Sequence, residues 1–88
     1  MKFPKLVLYY YDSCPYCQLV MRAITKIDLI MEYKNTQQDQ NNRAYLVQRT
    51  GRSTVPCLFI DDVPMHESRD IVDWLDENEN RLEKKPKA

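Results

Sequence analysis

The chain has 88 residues, which is one domain, and its 13 Lys and Arg balance 13 Asp and Glu to a net charge of zero. A chain of this size buries about 64% of its unfolded surface, enough for one modest core without metal or disulfide staples. The neutral balance excludes the clustered basic excess of a nucleic-acid binder and the polybasic segment that draws a protein to anionic membranes, and no apolar run approaches the roughly 18 residues needed to span a bilayer.

The N-terminal Met1-Lys2-Phe3-Pro4-Lys5 leads into a short apolar run, Leu6–Tyr11, with neither the h-region nor the cleavage site of a signal peptide, so a cytoplasmic protein is expected. Leu6-Val7-Leu8-Tyr9-Tyr10-Tyr11 reads as a strand covered on both faces. Asp12-Ser13 ends it. From Pro15 onward, Val20, Ala23, Ile24, Ile27 and Met31 recur at helical spacing, and Pro15 fits because the first turn does not need its missing N–H. A short strand is expected near Met31–Lys34. The polar stretch Asn35–Asn42 reads as a loop entering a second helix, with Ala44, Leu46 and Val47 as buried candidates and Gly51 as its left-handed C-cap. Thr54–Ile60 is β-rich. Asp61-Asp62 is a two-residue turn, though Asp-Gly would suit it better, and Val63-Pro64-Met65 pairs back as an edge strand. Ser68 is the expected cap of a last helix whose inward face is Ile71, Trp74, Leu75 and Leu82. The charged tail 83–88 is expected to fray from a domain spanning residues 1–82. The order strand, helix, strand, helix, hairpin, helix is an α/β fold with helices on both faces of one sheet.

The chemistry lies in the cysteines. Cys14, Cys17 and Cys57 are too few and too odd in number for a secreted disulfide scaffold, and in a reducing compartment a close pair signals redox chemistry or metal. Cys14-Pro15-Tyr16-Cys17 places Cys14 at a helix N-terminus, where free N–H groups and the macrodipole favour a thiolate. Cys17, one turn in, is spaced to resolve a mixed disulfide formed on Cys14. The bland alternative is two half-buried cysteines at a helix start. A zinc site of Cys14, Cys17, Cys57 and His66 is the metal alternative, opposed by the proline in the first pair and by the strand position of Cys57. No metal is expected.

Thr54-Val55-Pro56 reads equally as a plain strand boundary or as a cis peptide that would leave the Val55 N–H and C=O free for an extended ligand. Cys57 reads as a small buried hydrophobe. At His66-Glu67-Ser68-Arg69-Asp70, ordinary capping competes with a carboxylate-holding helix start. His66 reads as a surface or packing histidine. Tyr11, three residues before Cys14, is placed to line a site.

With Tyr11-Asp12-Ser13-Cys14-Pro15-Tyr16-Cys17, Thr54-Val55-Pro56 and Glu67-Ser68-Arg69-Asp70-Ile71 in hand, the chain resembles a glutaredoxin over roughly residues 5–80, and within that family the members akin to the N-terminal domain of glutathione S-transferases. The resemblance implies a thioredoxin-like fold, a four-stranded mixed sheet with three helices in the order βαβαββα. It implies glutathione as cosubstrate, Cys14 as nucleophile, Cys17 as resolving thiol, Pro56 as a cis proline, and the Val55 backbone pairing with the cysteinyl part of glutathione. Thr54 and Tyr16 belong to the same motifs. Glu67 and Ser68 match the pair that holds the γ-glutamyl group.

Two positions depart from the family pattern. Tyr11 stands where glutaredoxins carry a basic residue, and His66-Glu67 replaces a Gly-Gly pair. Arg52 is then the candidate for the glycine carboxylate. The expected function is reduction of protein disulfides and protein–glutathione mixed disulfides by a monomer. An iron–sulfur-binding module without redox catalysis and a glutathione-independent thioredoxin-like reductant are the alternatives. Because the sequence ends at Ala88, the helical second domain of a full transferase is not expected.

Overall fold

The computed structural model describes residues 3–86; Met1 and Lys2 of the N-terminal segment, and Lys87 and Ala88 of the tail, lie outside the described residues. Four strands and three helices alternate as β1 Leu6–Tyr10, α1 Pro15–Lys26, β2 Glu32–Asn35, α2 Gln40–Thr50, β3 Cys57–Ile60, β4 Val63–Met65 and α3 Ser68–Asn78, followed by a 3-10 turn, Glu79–Arg81. The strands lie in the order β2-β1-β3-β4. β1 pairs parallel with β2 and antiparallel with β3, and β3 pairs antiparallel with β4. This is the thioredoxin-like mixed sheet. Among the described residues no helix is long and apolar enough to cross a membrane.

Alternation along β1 divides the interior in two. Leu6 and Leu8 point to the face covered by α1 and α3, where Val20, Ile24, Leu58, Ile71, Leu75 and Leu82 close the main core. Val7 and Tyr9 point to the other face, which α2 covers with Leu46 over Tyr9, Cys57 and Phe59. The continuous apolar run of β1 is therefore explained by burial on both sides.

Several boundaries move from their expected places. α1 stops at Lys26, with Ile27 as its C-cap, and Asp28 turns the chain at φ 54°, so Met31 lies beyond the helix and β2 begins at Glu32. Asn35 is buried and folds the next turn by accepting the Gln37 and Gln38 N–H groups at 2.8 and 3.0 Å, after which the Asp39 carboxylate caps α2 from the Asn41 N–H. α2 thus starts inside the polar stretch, because Asx side chains serve turns and caps there. Of its three expected core residues only Leu46 is buried; Ala44 and Val47 face solvent. Gly51 ends it at φ 80° as expected, donating to the Val47 carbonyl at 2.7 Å.

β3 starts at Cys57 rather than Thr54, since Pro56 has no N–H to give to a ladder. The β3–β4 turn holds Asp61 and Asp62 at φ 46° and 73°, the double positive φ of a type I′ hairpin. Glycine would relax this turn, but both carboxylates are in use: Asp61 accepts the Lys5 N–H at 2.8 Å, and Asp62 pairs with Arg49 of α2 at 2.8 Å. Arg49 also lies 5.1 Å from the Phe59 ring centroid and 5.6 Å from that of Tyr45, so it links α2 to the hairpin over an aromatic floor.

Ser68 is not the cap of α3. Glu67 holds the cap position, at φ 71° and without a side-chain hydrogen bond, and Ser68 is the first helical residue. The tail is also not frayed at its start. Ile30 N–H bonds the Glu83 carbonyl at 3.0 Å, and Lys85 N–H bonds the Asp28 carbonyl at 2.7 Å, because the exposed edge of residues 28–30 has backbone groups to pair.

Leu46→Ala is expected to lower unfolding free energy by about 2–5 kcal/mol, whereas Ala44→Ser and Val47→Gln each stay within about 0.5 kcal/mol, measured by urea denaturation. Equal losses at all three positions would contradict the burial of Leu46 alone among them.

Candidate active site

The end of β1 delivers Cys14 to the start of α1. Its backbone is extended, at φ −86° and ψ 113°, Pro15 follows at the first helical position, and the Cys14 N–H is held by the Tyr11 carbonyl at 3.3 Å. The Cys14 sulfur then caps the helix, accepting the Cys17 N–H at 3.2 Å. A sulfur is a weaker acceptor than the oxygen of Ser or Asp, and this cap sets the Cys14 sulfur at the N-terminal, positive end of α1. Cys17 is wholly buried one turn below, while Cys14 retains 4% exposure. Burial, and then the contact with Cys14, push the Cys17 thiol well above its ordinary 9.0. All three cysteines are unpaired. The two of the motif are thus unlike: one at a helix terminus with a sliver of exposure, the other sealed and protonated at neutral pH.

A cleft of about 370 Å³ opens beside this turn, lined by Tyr16, Thr54, Val55, Pro56, Glu67 and Ser68. The Val55–Pro56 peptide is cis. Among the described residues neither the N–H nor the C=O of Val55 has a hydrogen-bond partner, so both are available at the wall. Across the cleft, the first N–H groups of α3 are not capped by a side chain, and the Ser68 hydroxyl stands with them. Free helix-terminal N–H groups attract a carboxylate, while the neighbouring Glu67 carboxylate attracts an ammonium. One wall therefore offers extended-backbone pairing and the other a place for a zwitterion.

Of the residues singled out in the sequence, Tyr16, Thr54, Val55, Pro56, Glu67 and Ser68 meet in this cleft. Tyr11 is half-buried and contributes its carbonyl to the cysteine turn rather than a side chain to the cleft lining. Arg52 is exposed and also lies outside the lining; its charge bears on Cys57 and His66. Cys57 is sealed beneath α2, and its thiol is pushed up to about 11 by burial. Cys14, Cys17, Cys57 and His66 are not assembled as a ligand set, and among the described residues no group of three or more His, Cys, Asp or Glu side chains could hold a metal ion.

Residues that sequence reasoning passed over lie at the start of α2. Because β2 runs parallel to β1, the first turn of α2 stands at the same end of the sheet as Cys14. There Gln37, Gln40 and Arg43 line a second polar cleft. The Asp39 cap, four residues before Arg43, was the available signal. A third cleft of about 350 Å³, over Val7, Tyr9, Tyr45 and Phe59, lies on the α2 face of the sheet.

Comparison with known proteins agrees with this architecture. The family model described as glutathione S-transferase, N-terminal domain, matches residues 8–85. Glutaredoxin 1 of Rickettsia prowazekii (strain Madrid E) is 30% identical over 82 residues, covering 90% of this chain and 83% of that protein. The holo form of glutaredoxin C1 from Populus tremula x tremuloides superposes with a TM-score of 0.67 at 23% identity, over 85% of this chain and 77% of that one. A glutathione transferase homologue from Drosophila mojavensis, solved with bound glutathione, superposes with a TM-score of 0.72 at 21% identity, over 89% of this chain and 36% of that one. The chain spans about a third of the length of the insect transferases it superposes on.

The buried thiols dictate the alkaline limit of stability. Above about pH 9 the unfolded chain loses thiol protons that the fold retains, so the unfolded state binds fewer protons and stability falls as pH rises. Urea midpoints are expected to decline from about pH 9 to about pH 11, the window set by Cys57 at about 11, with Cys17 acting in the same sense. Cys57→Ala is expected to start lower but fall less steeply; an unchanged slope would contradict the burial of that thiol.

Proposed function

The chain belongs to the glutathione S-transferase N-terminal-domain family and, among its thioredoxin-fold members, to the glutaredoxins; from that premise we propose that it is a glutathione-dependent thiol–disulfide oxidoreductase. One observation carries the reading: a single cleft beside the Cys14–Cys17 turn gathers the free backbone of Val55, the Glu67 carboxylate and the uncapped start of α3. Those three features complement the parts of a γ-glutamyl tripeptide. The cysteinyl backbone pairs with Val55 as an added strand would. The γ-glutamyl ammonium meets Glu67, and its carboxylate meets the Ser68 hydroxyl and the helix N–H groups. Thr54, Pro56 and Tyr16 shape the walls. For the glycine carboxylate, Arg43 at the start of α2 joins Arg52 as a candidate, because Arg43 lines a cleft at the Cys14 end of the sheet.

In the proposed reaction the Cys14 thiolate attacks the glutathione sulfur of a protein–glutathione mixed disulfide. The S–S bond to the client breaks, the client leaves as a thiolate and takes a proton from water, and Cys14 becomes glutathionylated. A second glutathione thiolate then attacks the glutathione sulfur on Cys14, giving oxidised glutathione and regenerating the Cys14 thiolate. With a protein disulfide as substrate, the Cys14 thiolate attacks one of its sulfurs, breaking the client S–S bond and forming a Cys14–client mixed disulfide; Cys17 then attacks the sulfur of Cys14 and breaks that bond. Its proton passes to the departing thiolate, and a Cys14–Cys17 disulfide forms that glutathione reduces. Burial keeps Cys17 protonated, so the first attack falls to Cys14. The clients are glutathionylated or disulfide-containing proteins of the cytoplasm, and the protein acts on them as a monomer.

Glutathione-coupled reduction of a small mixed disulfide tests this. Cys14→Ser is expected to lose at least on the order of 100-fold in kcat/KM, while Cys17→Ser keeps the mixed-disulfide activity. Glu67→Gln is expected to raise the KM for glutathione about tenfold, the loss of one charge-assisted contact, with little change in kcat. Full activity in Cys14→Ser would reject the proposal.

A further inference from the structure

His66 occupies the two-residue link between the end of β4 and the start of α3, next to Glu67. Its Nε2 is buried, and among the described residues it has no hydrogen-bond partner. Glu67 sits at φ 71° and ψ 113°, a conformation that L residues avoid, and its side chain does not cap the helix. On the helix side the elbow is held by the Glu67 carbonyl, which accepts the N–H of buried Ile71 at 3.0 Å; on the strand side it is preceded by the imidazole with its buried Nε2. Two charged groups bear on the ring: Arg52, from the connection between α2 and β3, opposes a positive charge, and Glu67 favours one. On β3, beside β4, Cys57 shares the field of Arg52 and is a neutral thiol throughout the histidine range.

We propose that His66 is a positioning residue for the glutathione cleft: its neutral ring locks the Glu67 elbow and the first turn of α3, and its protonation unlocks them. The inference rests on the reading of that cleft as a glutathione site. A protonated ring would bury a second N–H, on the nitrogen that lacks an acceptor, together with a charge near Arg52. Burial and Arg52 hold the ring's affinity for protons below that of an ordinary histidine, whose pKa is 6.5. As pH falls through that value, the opened elbow takes up a proton before the closed one does, so acid favours opening. Glu67 and the α3 N–H groups then lose their fixed separation, and the grip on the γ-glutamyl zwitterion weakens. The site would hold glutathione at neutral pH and release it in acid.

Two measurements on the full chain test this. The first needs no ligand: amide-exchange protection of Ile71, whose N–H donates to the Glu67 carbonyl, corrected for its intrinsic rate, from about pH 7.5 to about pH 5.5. Protection is expected to fall about threefold or more in the wild type while that of Val20 and Ile24 in α1 holds, and to stay level in His66→Gln. The second is calorimetric binding of S-methylglutathione, which has no thiol to titrate. Its affinity is expected to drop about threefold or more over the same range in the wild type and to be flat in His66→Gln. If His66→Gln fails to fold, His66→Asn replaces it, and the wild-type exchange profile still decides. Protection at Ile71 that is independent of pH, or an equal acid loss in the variant, would overturn the inference. If S-methylglutathione binds at no pH, the functional reading fails separately, while the exchange profile still tests the elbow.

Discussion

The cap that Cys14 places on α1 ties the rest of the site together. A helix start leaves N–H groups without partners, and here a sulfur rather than an oxygen answers one of them. That choice puts the sulfur at the positive end of the helix, and it fixes Cys17 one turn further in, where it is wholly buried. Pro15 makes the arrangement rigid, since its ring presets the first helical φ and it has no N–H to satisfy. The difference between the two thiols, one at a helix terminus and one sealed, follows from their positions along one turn of helix. The order of attack in the proposed reaction depends on that difference.

The sheet supplies the rest by topology. β1 ends at the cysteine turn, and β3, antiparallel to it, begins at Cys57 opposite Tyr9, so Val55 and Pro56 arrive beside the thiols. The hairpin returns the chain along β4, and α3 then starts on the cleft's other wall. Arg49 and the paired aspartates of the hairpin turn hold the far side, where α2 contributes only Leu46 to the interior. The α1–α3 face holds the larger of the two core clusters, and the α2 face leaves an open cleft at the surface.

The strand-helix order, the both-faced burial of β1, the inward face of α1, Ile71 and Leu75 on the inward face of α3, and the Gly51 cap were legible from periodicity and residue chemistry. So was the cysteine turn. Leu82, by contrast, reaches the core from beyond α3, after the 3-10 turn. What was not legible has physical causes. Ala44 and Val47 are apolar, but a helix lying on a narrow strip of sheet buries one stripe, and composition does not say which. Asn35 and Asp39 look like loop residues because their side chains build the turn and the cap that begin α2. Ser68 is a good cap residue by type, yet the chain arrives from β4 with Glu67 at positive φ, and tertiary geometry overrides the local preference. Arg52 was singled out for its guanidinium and its place just before Ser53-Thr54; it is exposed and outside the cleft lining, while Arg43 borders a cleft at the start of α2 that charge alone did not point to.

In the proposed reaction one sulfur of three, that of Cys14, takes up glutathione, and this can be observed directly. The Cys17→Ser protein is exposed to oxidised glutathione, and intact-mass and peptide-mapping spectrometry then locate the adduct. The expected result is a single glutathione on Cys14, removed by reduced glutathione, with Cys57 unmodified in its buried position. An adduct on Cys57, or no adduct in a folded protein whose thiols are reduced, would contradict it.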